Sequence, residues 1–540
     1  MQRRAALDSV LRQLSRNQSD RAIASLEHTD DPYLLGLLSF ALFIGQRFTP
    51  AAETAARALA AADDAEALML ARAATGMAAS AWASEETADT LSAARDELAL
   101  LDGADRDSDT FIRYLLAEAA LTCGRLRLGE EIVAASPALP TVFLGDEAHP
   151  FLTIMRVMRI RLLCFRGRIT EALELGEAAL ALASEPLSAL VVDATMCLLR
   201  GNAAQKGQVR AIADRLERAL PEPVDHISSG CYLLVAFGLV ATADVTRAAR
   251  FVLLAGQTPG LEKLTILDRV LGLEMLVAAA VAEEDLTSAE AWRARALPLL
   301  GDPIARPTVE RIMSRLALLA GDAAGAADWA ELAVEHARAD DRIIELAEGE
   351  IVLSRARIAS SQRGAASASL EALAAGAVGS GYLAARQSAA RELRGIGRRL
   401  RPAAGSGFAG LSARERDVAL LVVEGFGNVA IAAELHLSEH TVQVHVSRVL
   451  AAFGVASRFA LAAQLASLLP QGVDDPAPAP LTPRQHAVVD HIVLGHSNDR
   501  ISRDLGVSIK TVEKHVSEVF RRWNVASRIG VSRVARGREG

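Results

Sequence analysis

The sequence predicts an all-α chain, with a long α-solenoid of helical hairpins followed by two short four-helix units. Three observations lead there. Apolar residues make up 51% of the chain but aromatic ones only 4%, and an alanine-rich, aromatic-poor mixture favours helices over sheets. From about residue 5 to 400 the apolar positions recur at intervals of three and four, with no sustained alternation of period two. The last quarter of the chain then repeats itself, LSEHTVQVHVSRVLAAFGVASR at 437–458 returning as VSIKTVEKHVSEVFRRWNVASR at 507–528. Eleven of those 22 positions are identical, and Leu411, Gly425 and Asn428 meet Leu481, Gly495 and Asn498 at the same offset without a gap.

At 540 residues the chain exceeds what one core supports. In its first 400 residues one phrase recurs, a polar turn followed by a helix with a small residue near its start. It is clearest in GRITEALELGEAAL (167–180), TADVTRAARFVLLA (242–255), EEDLTSAEAWRARAL (283–297) and GDAAGAADWAELAVEHA (321–337). The small residues Ala51, Ala88, Gly129, Ala172, Ala211, Ala248, Ala289, Ala326 and Ala368 serve as markers, spaced 37 to 43 apart. That is the length of a two-helix repeat. A small residue at each marker lets neighbouring helices approach closely, so the segment resembles tetratricopeptide-like repeats with a longer, more variable period. Such stacks expose curved surfaces that bind a peptide, a protein or a small effector. The residues that would do so are not legible in the sequence.

The repeat fades into an arginine-rich end and a loop with Pro402, Gly405, Gly407 and Gly410, a boundary signal. Arg398, Arg399 and Arg401 close a helix there, where basic side chains suit the helix dipole. The expected domains are a repeat region for sensing or interaction at 1–400, a linker at 401–410, a first four-helix unit at 411–468, a proline-rich linker at 469–480 and a second unit at 481–540.

In the second unit Thr482 caps a helix with Pro483 at its first position, running to Gly495. Ser497 or Asn498 opens a short helix carrying Ile501 and Leu505, Gly506 supplies a tight turn, and Ser508 caps a third helix. On that helix Val512, Val516, Val519, Phe520 and Trp523 share one stripe, while Lys510, Glu513, Lys514, Ser517, Glu518 and Arg521 share the other. Two helices around a short turn, the second with a polar outer face, make a helix-turn-helix. That motif presents its outer face to the major groove of DNA.

Both units resemble the DNA-binding domain of LuxR/FixJ-type (GerE-like) transcription regulators, over roughly the last quarter of the chain. The family pattern runs approximately L-T-x-R-E, E-G-x-[ST]-N-K-E-I-A, L-x-[IV]-S-x-x-T-V-[KE]-x-H and K-L-G-V-x-x-R. The chain offers LSARERDVALLVVEGFGNVAIAAELHLSEHTVQVHVSRVLAAFGVASR and LTPRQHAVVDHIVLGHSNDRISRDLGVSIKTVEKHVSEVFRRWNVASR. In the first unit the family's Lys-Glu after Asn is Val429-Ala430, its turn glycine is His436, and its basic helix end is Ala451-Ala452. The second departs mainly at Asp499-Arg500.

The resemblance implies double-stranded DNA as partner and assigns roles by position. Glu513 and Lys514, with Gln443 and Val444 in the first unit, fall at base-reading positions. Glutamate accepts from cytosine N4, and glutamine pairs with adenine. Ser508, Lys510, Thr511, Ser517, Arg521, Arg522 and Arg528, with Thr441, Ser447, Arg448 and Arg458, fall among the DNA-contacting positions, mostly toward phosphate. His445 and His515 are expected to pack against the turn.

Charge supports this division. Residues 481–540 hold eleven basic and six acidic side chains, whereas 411–458 hold four and five. Phosphate neutralisation supplies most non-specific affinity, so the second unit should bind more strongly. The linker from Leu469 to Thr482 can span up to roughly 40 Å, and half-sites one turn apart lie ~34–36 Å apart. One chain could therefore occupy two half-sites. The competing possibility is that one unit reads DNA while the other contacts RNA polymerase or a second copy of the chain. The apolar SRFALAAQLASLL (457–469) favours that version, the fourth helix being the usual dimer surface in this family. A further alternative is a helical-repeat adaptor whose helix-turn-helix units are vestigial or contact protein.

Other classes find no support. GLEKLT (260–265) and GNAAQKG (201–207) lack the spacing of a phosphate-binding loop. No strand-helix alternation suggests a receiver domain, and the front half does not suit an acyl-homoserine-lactone sensor. No catalytic constellation or cofactor site is expected. His436 and His440 straddle a turn without further ligands, and Cys123, Cys164, Cys197 and Cys231 are scattered, so no metal site is expected either. The N-terminus is amphipathic without an apolar core segment, and the uncharged run at 227–243 is too short to span a bilayer. With almost no lysine beside abundant arginine, the expectation is a cytoplasmic protein of a high-GC bacterium without a membrane partner.

Overall fold

The computed structural model describes residues 2–82, 85–183, 185–220, 222–339, 341–400, 407–465, 480–494, 496, 498–523, 531 and 534–535. Among them are 28 α-helices and no strand. The chain forms two compact units, Met1–Arg399 and Leu400–Gly540.

The first unit is a series of ten helical hairpins closed by the single helix Leu383–Gly395. In each hairpin the first helix packs against the first helix of the next, from Pro32–Ile44 through Ala65–Ala79, Arg106–Thr122 and onward to Leu383–Gly395. Some of these inner helices, Pro32–Ile44 and His226–Ala241 among them, are nearly apolar all round, as helices buried on several sides must be. In Pro32–Ile44 every residue from Leu35 to Ile44 is buried. The outer helices are amphipathic, Lys206–Ala219 burying only Val209, Ile212, Ala213 and Leu216.

Nine of the ten hairpins have turns within the described residues that are built the same way. Two residues before the outer helix the backbone enters the left-handed region, at Asn17, Gln46, Gly124, Gly167, Ala204, Ala243, Glu284, Gly321 and Ser361. Only three of those nine are glycine. The others accept about 1 kcal/mol or more of local strain, so the turn is imposed by packing on either side.

The small-residue markers occupy the fourth position of the outer helices. Ala51, Gly129, Ala172, Ala248, Ala289 and Ala326 are buried there. Two markers are corrected by the structure. Ala211 and Ala368 are exposed, and their places are taken by Val209 and Ala366, both fully buried. Ala22 fills the same position in a first hairpin that the spacing did not reveal. The side chain of Ala88 lies outside the described residues.

The hairpins wind so that each meets the fifth one after it. Gln46 Nε2 donates to Ser229 Oγ at 3.0 Å and to the Lys263 carbonyl at 3.1 Å. Further along, Arg166 and Arg127 both pair with Asp341, and a Cβ on Gly167 would lie against Ile343. The inner helices therefore enclose an interior lined by every hairpin from the second onward. All four cysteines are free and buried, and burial pushes the thiols of Cys123, Cys197 and Cys231 up to about 12. None of the described helices is long and apolar enough to cross a membrane.

Candidate nucleic-acid interface

Each C-terminal repeat folds on its own small core. In the first, Ala413–Val423, Asn428–Glu434, Glu439–Ala452 and Arg458–Gln464 pack around Val418, Val422, Ile431, Val442, Val446 and Val449. In the second, Pro483–Val493, Asn498–Leu505 and Ile509–Arg522 do so around Val488, Ile492, Ile501, Val512, Val516 and Val519. Most of the expected fourth helix of that unit, the linker from 469 to 479, Gly495, Ser497 and the candidate Arg528 lie outside the described residues, although the helical Val531, Val534 and Ala535 are described and pack on the unit's core.

Capping boxes start both units. Ser412 and Glu415 exchange bonds at 3.3 and 2.9 Å, and Thr482 and Gln485 at 3.3 and 3.0 Å. These satisfy amides that the first turn leaves open. The arginine two residues after each cap then donates to the carbonyl that ends the second helix, Arg414 to Leu435 and Arg484 to Leu505 at 3.0 Å. Both arginines are thus committed to holding the turn. The turn residues themselves are left-handed, Gly506 at φ +63° and His436 at +52°. A histidine there is strained where glycine is not.

Ser438 and Ser508 cap the two third helices, each accepting from the amide three residues on at 3.1 Å and pairing with the hydroxyl of Thr441 or Thr511 at 2.8 Å. The caps and threonines are therefore engaged within the helix start, with Ser438 and Ser508 still exposed. From Thr441 to Leu450 and from Thr511 to Phe520 the alternation of buried and exposed residues is identical, position by position.

The exposed stripe reads Glu439, His440, Gln443, Val444, Ser447 and Ala451 in the first unit, and Ile509, Lys510, Glu513, Lys514, Ser517 and Arg521 in the second. The first stripe carries one acid and no Lys or Arg. The second carries three cations against one acid, with Arg522 exposed beside it. Among the described residues Lys510 and Lys514 form no ion pair. Arg521 lies 3.8 Å from Glu518, and Arg522 donates to the Pro480 carbonyl at 2.8 Å.

The arginines of the first unit turn inward. Arg448 lies 3.3 Å from Glu415, whose carboxyl is pushed up by burial but held below its ordinary range overall by Ser412 and Arg448. Arg458 donates to the Phe426 carbonyl at 3.0 Å and to Asn428, tying the fourth helix to the turn before the second. Position 448 corresponds to Glu518, which receives Gln485 at 3.4 Å, so the two units close this contact with opposite chemistry. The imidazole Nδ1 atoms of His445 and His515 are both buried without a hydrogen bond, although His445 Nδ1 lies 3.8 Å from Glu415. In the apolar segment after Ser457, Leu461 and Leu465 are consumed by the unit's own core.

The fold also gathers a cluster invisible in the sequence. The Nδ1 atoms of His491 and His496 stand 2.8 Å apart, with Asp504 Oδ2 at 3.7 and 3.8 Å and Arg500 at 3.7 Å from the same carboxylate. Two imidazoles and a carboxylate are a donor set suited to a transition metal. A histidine hydrogen bond beside an ion pair accounts for the same geometry, and the imidazole nitrogens stand closer than two ligands of one tetrahedral zinc would.

Each unit is a helix-turn-helix domain with an exposed, groove-sized second helix. The family described as "Bacterial regulatory proteins, luxR family" (GerE) matches residues 409–465 and 479–535, so the chain carries two LuxR-family DNA-binding domains. Similar proteins include the "Putative HTH-type transcriptional regulator Mb0914c" of Mycobacterium bovis, 50% identical over 68 residues, and Rv0890c of Mycobacterium tuberculosis, 48% identical over 68. Those matches cover 13% of this chain and 8% of the relatives' length. Solved structures of low similarity cover more of the chain. The APC/C hetero-tetramer Cut9-Hcn1 gives 12% identity over 83% of this chain and 95% of its own, at a TM-score of 0.27. Yeast Tom70 gives 14% over 73% and 96%, at 0.23.

Proposed function

We propose that the chain is a LuxR-type transcription regulator that reads double-stranded DNA with both C-terminal units and is controlled through its helical-repeat region. The observation that carries this reading is the pair of superposable exposed stripes, cationic in one unit and nearly uncharged in the other.

The two stripes do different work. Lys510, Lys514, Arg521 and Arg522 neutralise phosphate and supply affinity, with Ser508, Thr511 and Ser517 adding neutral contacts. Glu513 and Lys514 face bases. In the first unit Gln443 and Val444 reach the groove floor, glutamine toward adenine and valine toward a thymine methyl, with Thr441 and Ser447 at the backbone. Arg448 and Arg458, already paired within the unit, steady it and contribute less than their charge suggests. The first unit thus adds sequence preference to the affinity of the second. Since Leu461 and Leu465 face inward, the first unit's fourth helix has less apolar surface to offer a dimer or polymerase contact.

The test is salt dependence. The full chain is titrated against duplexes selected from a random 40-base-pair pool (~40 chosen to exceed two half-sites), alongside Lys510→Ala/Arg521→Ala. Each lost phosphate contact should lower the slope of log K against log salt by about 0.9, so the double variant should lose nearly two. An unchanged slope would remove these side chains from the interface. Absence of any salt-dependent binding by the native chain would leave the adaptor reading in possession.

A further inference from the structure

The interior enclosed by the inner helices of the first unit holds a cavity of about 260 Å³. That is near the lower end of the ~300–1,000 Å³ usual for ligand pockets. Protein interiors ordinarily leave few voids larger than a water molecule.

The cavity wall is chiefly apolar, with Phe40, Phe151 and Phe237 among its rings. Its charged groups are already matched. Arg161 pairs with Glu118, Arg311 with Glu274 at 2.6 Å, Arg342 with Glu345 at 2.6 Å, and Arg315 with Glu274 at 3.3 Å and Glu348 at 3.7 Å. Asp268 accepts from the Thr265 hydroxyl at 2.8 Å, and burial raises its carboxyl toward the neutral form.

Besides two guanidinium nitrogens of these pairs, Arg161 Nε and Arg342 Nη2, three polar groups of the wall form no hydrogen bond with protein. Tyr114 and Tyr382 are 7% and 5% exposed, and neither hydroxyl forms a hydrogen bond among the described residues. One stands by the Arg161 pair and the other by Arg311 and Glu348. His226 Nδ1 is likewise buried and unpaired, and burial pushes its imidazole down to about 4, so the ring is neutral. Of the three, His226 Nδ1 is buried outright, and a buried polar group left unsatisfied is costly.

We infer that this cavity is the effector site of the repeat region and takes an uncharged, mainly apolar small organic molecule carrying hydroxyl, carbonyl or amine groups that bond Tyr114, Tyr382 and His226. A charged ligand is disfavoured because it would have to break one of the resident pairs. The word effector rests on the regulator reading; the binding does not.

The probe is N-phenyl-1-naphthylamine, neutral and apolar with one N–H, compared with its sulfonated analogue 8-anilinonaphthalene-1-sulfonate on the full chain without DNA. Saturable fluorescence is expected with the neutral probe, at least tenfold tighter than with the anion. Tyr114→Phe should weaken it severalfold. Gly230 lines the cavity on His226–Ala241, and an added Cβ there meets nothing within 4 Å. Gly230→Phe should therefore fill the space, abolish binding and leave Tm equal or higher. Ala278→Leu, on Ile266–Ala282, is a second filler should the first fail to fold. No saturable signal from the native chain, undiminished binding by a folded filler variant, or equal affinity for the anion would each overturn the inference. Because no DNA is present, none of these outcomes bears on the DNA-binding reading, and loss of DNA binding would not bear on the cavity.

Discussion

Gly238→Ala is expected to destabilise the first unit by about 3 kcal/mol, an overpacking cost at the top of the usual range. The reason is a helix crossing with no side chain in it. A Cβ on Gly238 would lie 2.8 Å from the carbonyl carbon of Cys197, and one on Gly201 would lie 2.5 Å from the Cα of Gly238. Both obstacles are backbone or sit against it, so Pro186–Asn202 and His226–Ala241 would have to move apart. The same substitution eight residues earlier should do the reverse. Gly230 is in the same helix with open space around it, and replacing a helical glycine by alanine there should stabilise by roughly 0.5–1 kcal/mol. Urea denaturation followed by far-ultraviolet circular dichroism on the full chain distinguishes the two. Equal effects of the two variants would refute the close crossing.

The second large effect is expected at Arg311. It is 1% exposed, donates twice to Glu274 at 2.9 and 2.6 Å, and reaches Glu345 at 3.2 Å and Thr308 at 3.2 Å. Burial alone pushes the Glu274 carboxyl up, but Arg311 and Arg315 hold it below its ordinary range. Arg311→Met removes the cation and leaves buried carboxylates uncompensated, which costs about 3–5 kcal/mol. Arg311→Met/Glu274→Met should recover much of that, because a buried pair replaced by apolar groups of similar size is often neutral. The measurement is the same denaturation series. A single variant that loses less than 1 kcal/mol, or a double that loses the sum of both singles, would show that the network is not coupled.

Legibility in the sequence differed by region for physical reasons. The helix-turn-helix units were readable because caps, turns and stripe lie within one short segment, and the 70-residue offset doubled every signal. The solenoid was readable in kind but not in register at Ala211 and Ala368. In GQVRAIADRL and AASASL several small or aliphatic residues stand within two positions of the marker, and only packing against the inner helix chooses Val209 and Ala366. The inward turn of Arg448 was hidden because its acid, Glu415, stands 33 residues away. The cavity was hidden more deeply, since its wall draws on helices from Phe40 to Ser388 and its unpaired tyrosines look like ordinary core residues until their neighbours are known. His491, His496 and Asp504 gave a faint signal, two histidines around a helix end with the carboxylate a further helix away.

The central claim is that both helix-turn-helix units of one chain read DNA together. Its most direct measurement is the affinity of the full chain for duplexes it selects from a random pool, against Val444→Glu, which disables the first stripe, and Lys514→Glu, which disables the second. Linked binding modules gain about 10²–10⁴ over either alone when the linker spans their sites. The expected result is a loss of at least 100-fold for each variant, with selected sequences holding two half-sites about one turn apart and one chain per duplex. If Val444→Glu binds as the native chain does, only the second unit reads DNA and the duplication serves another purpose.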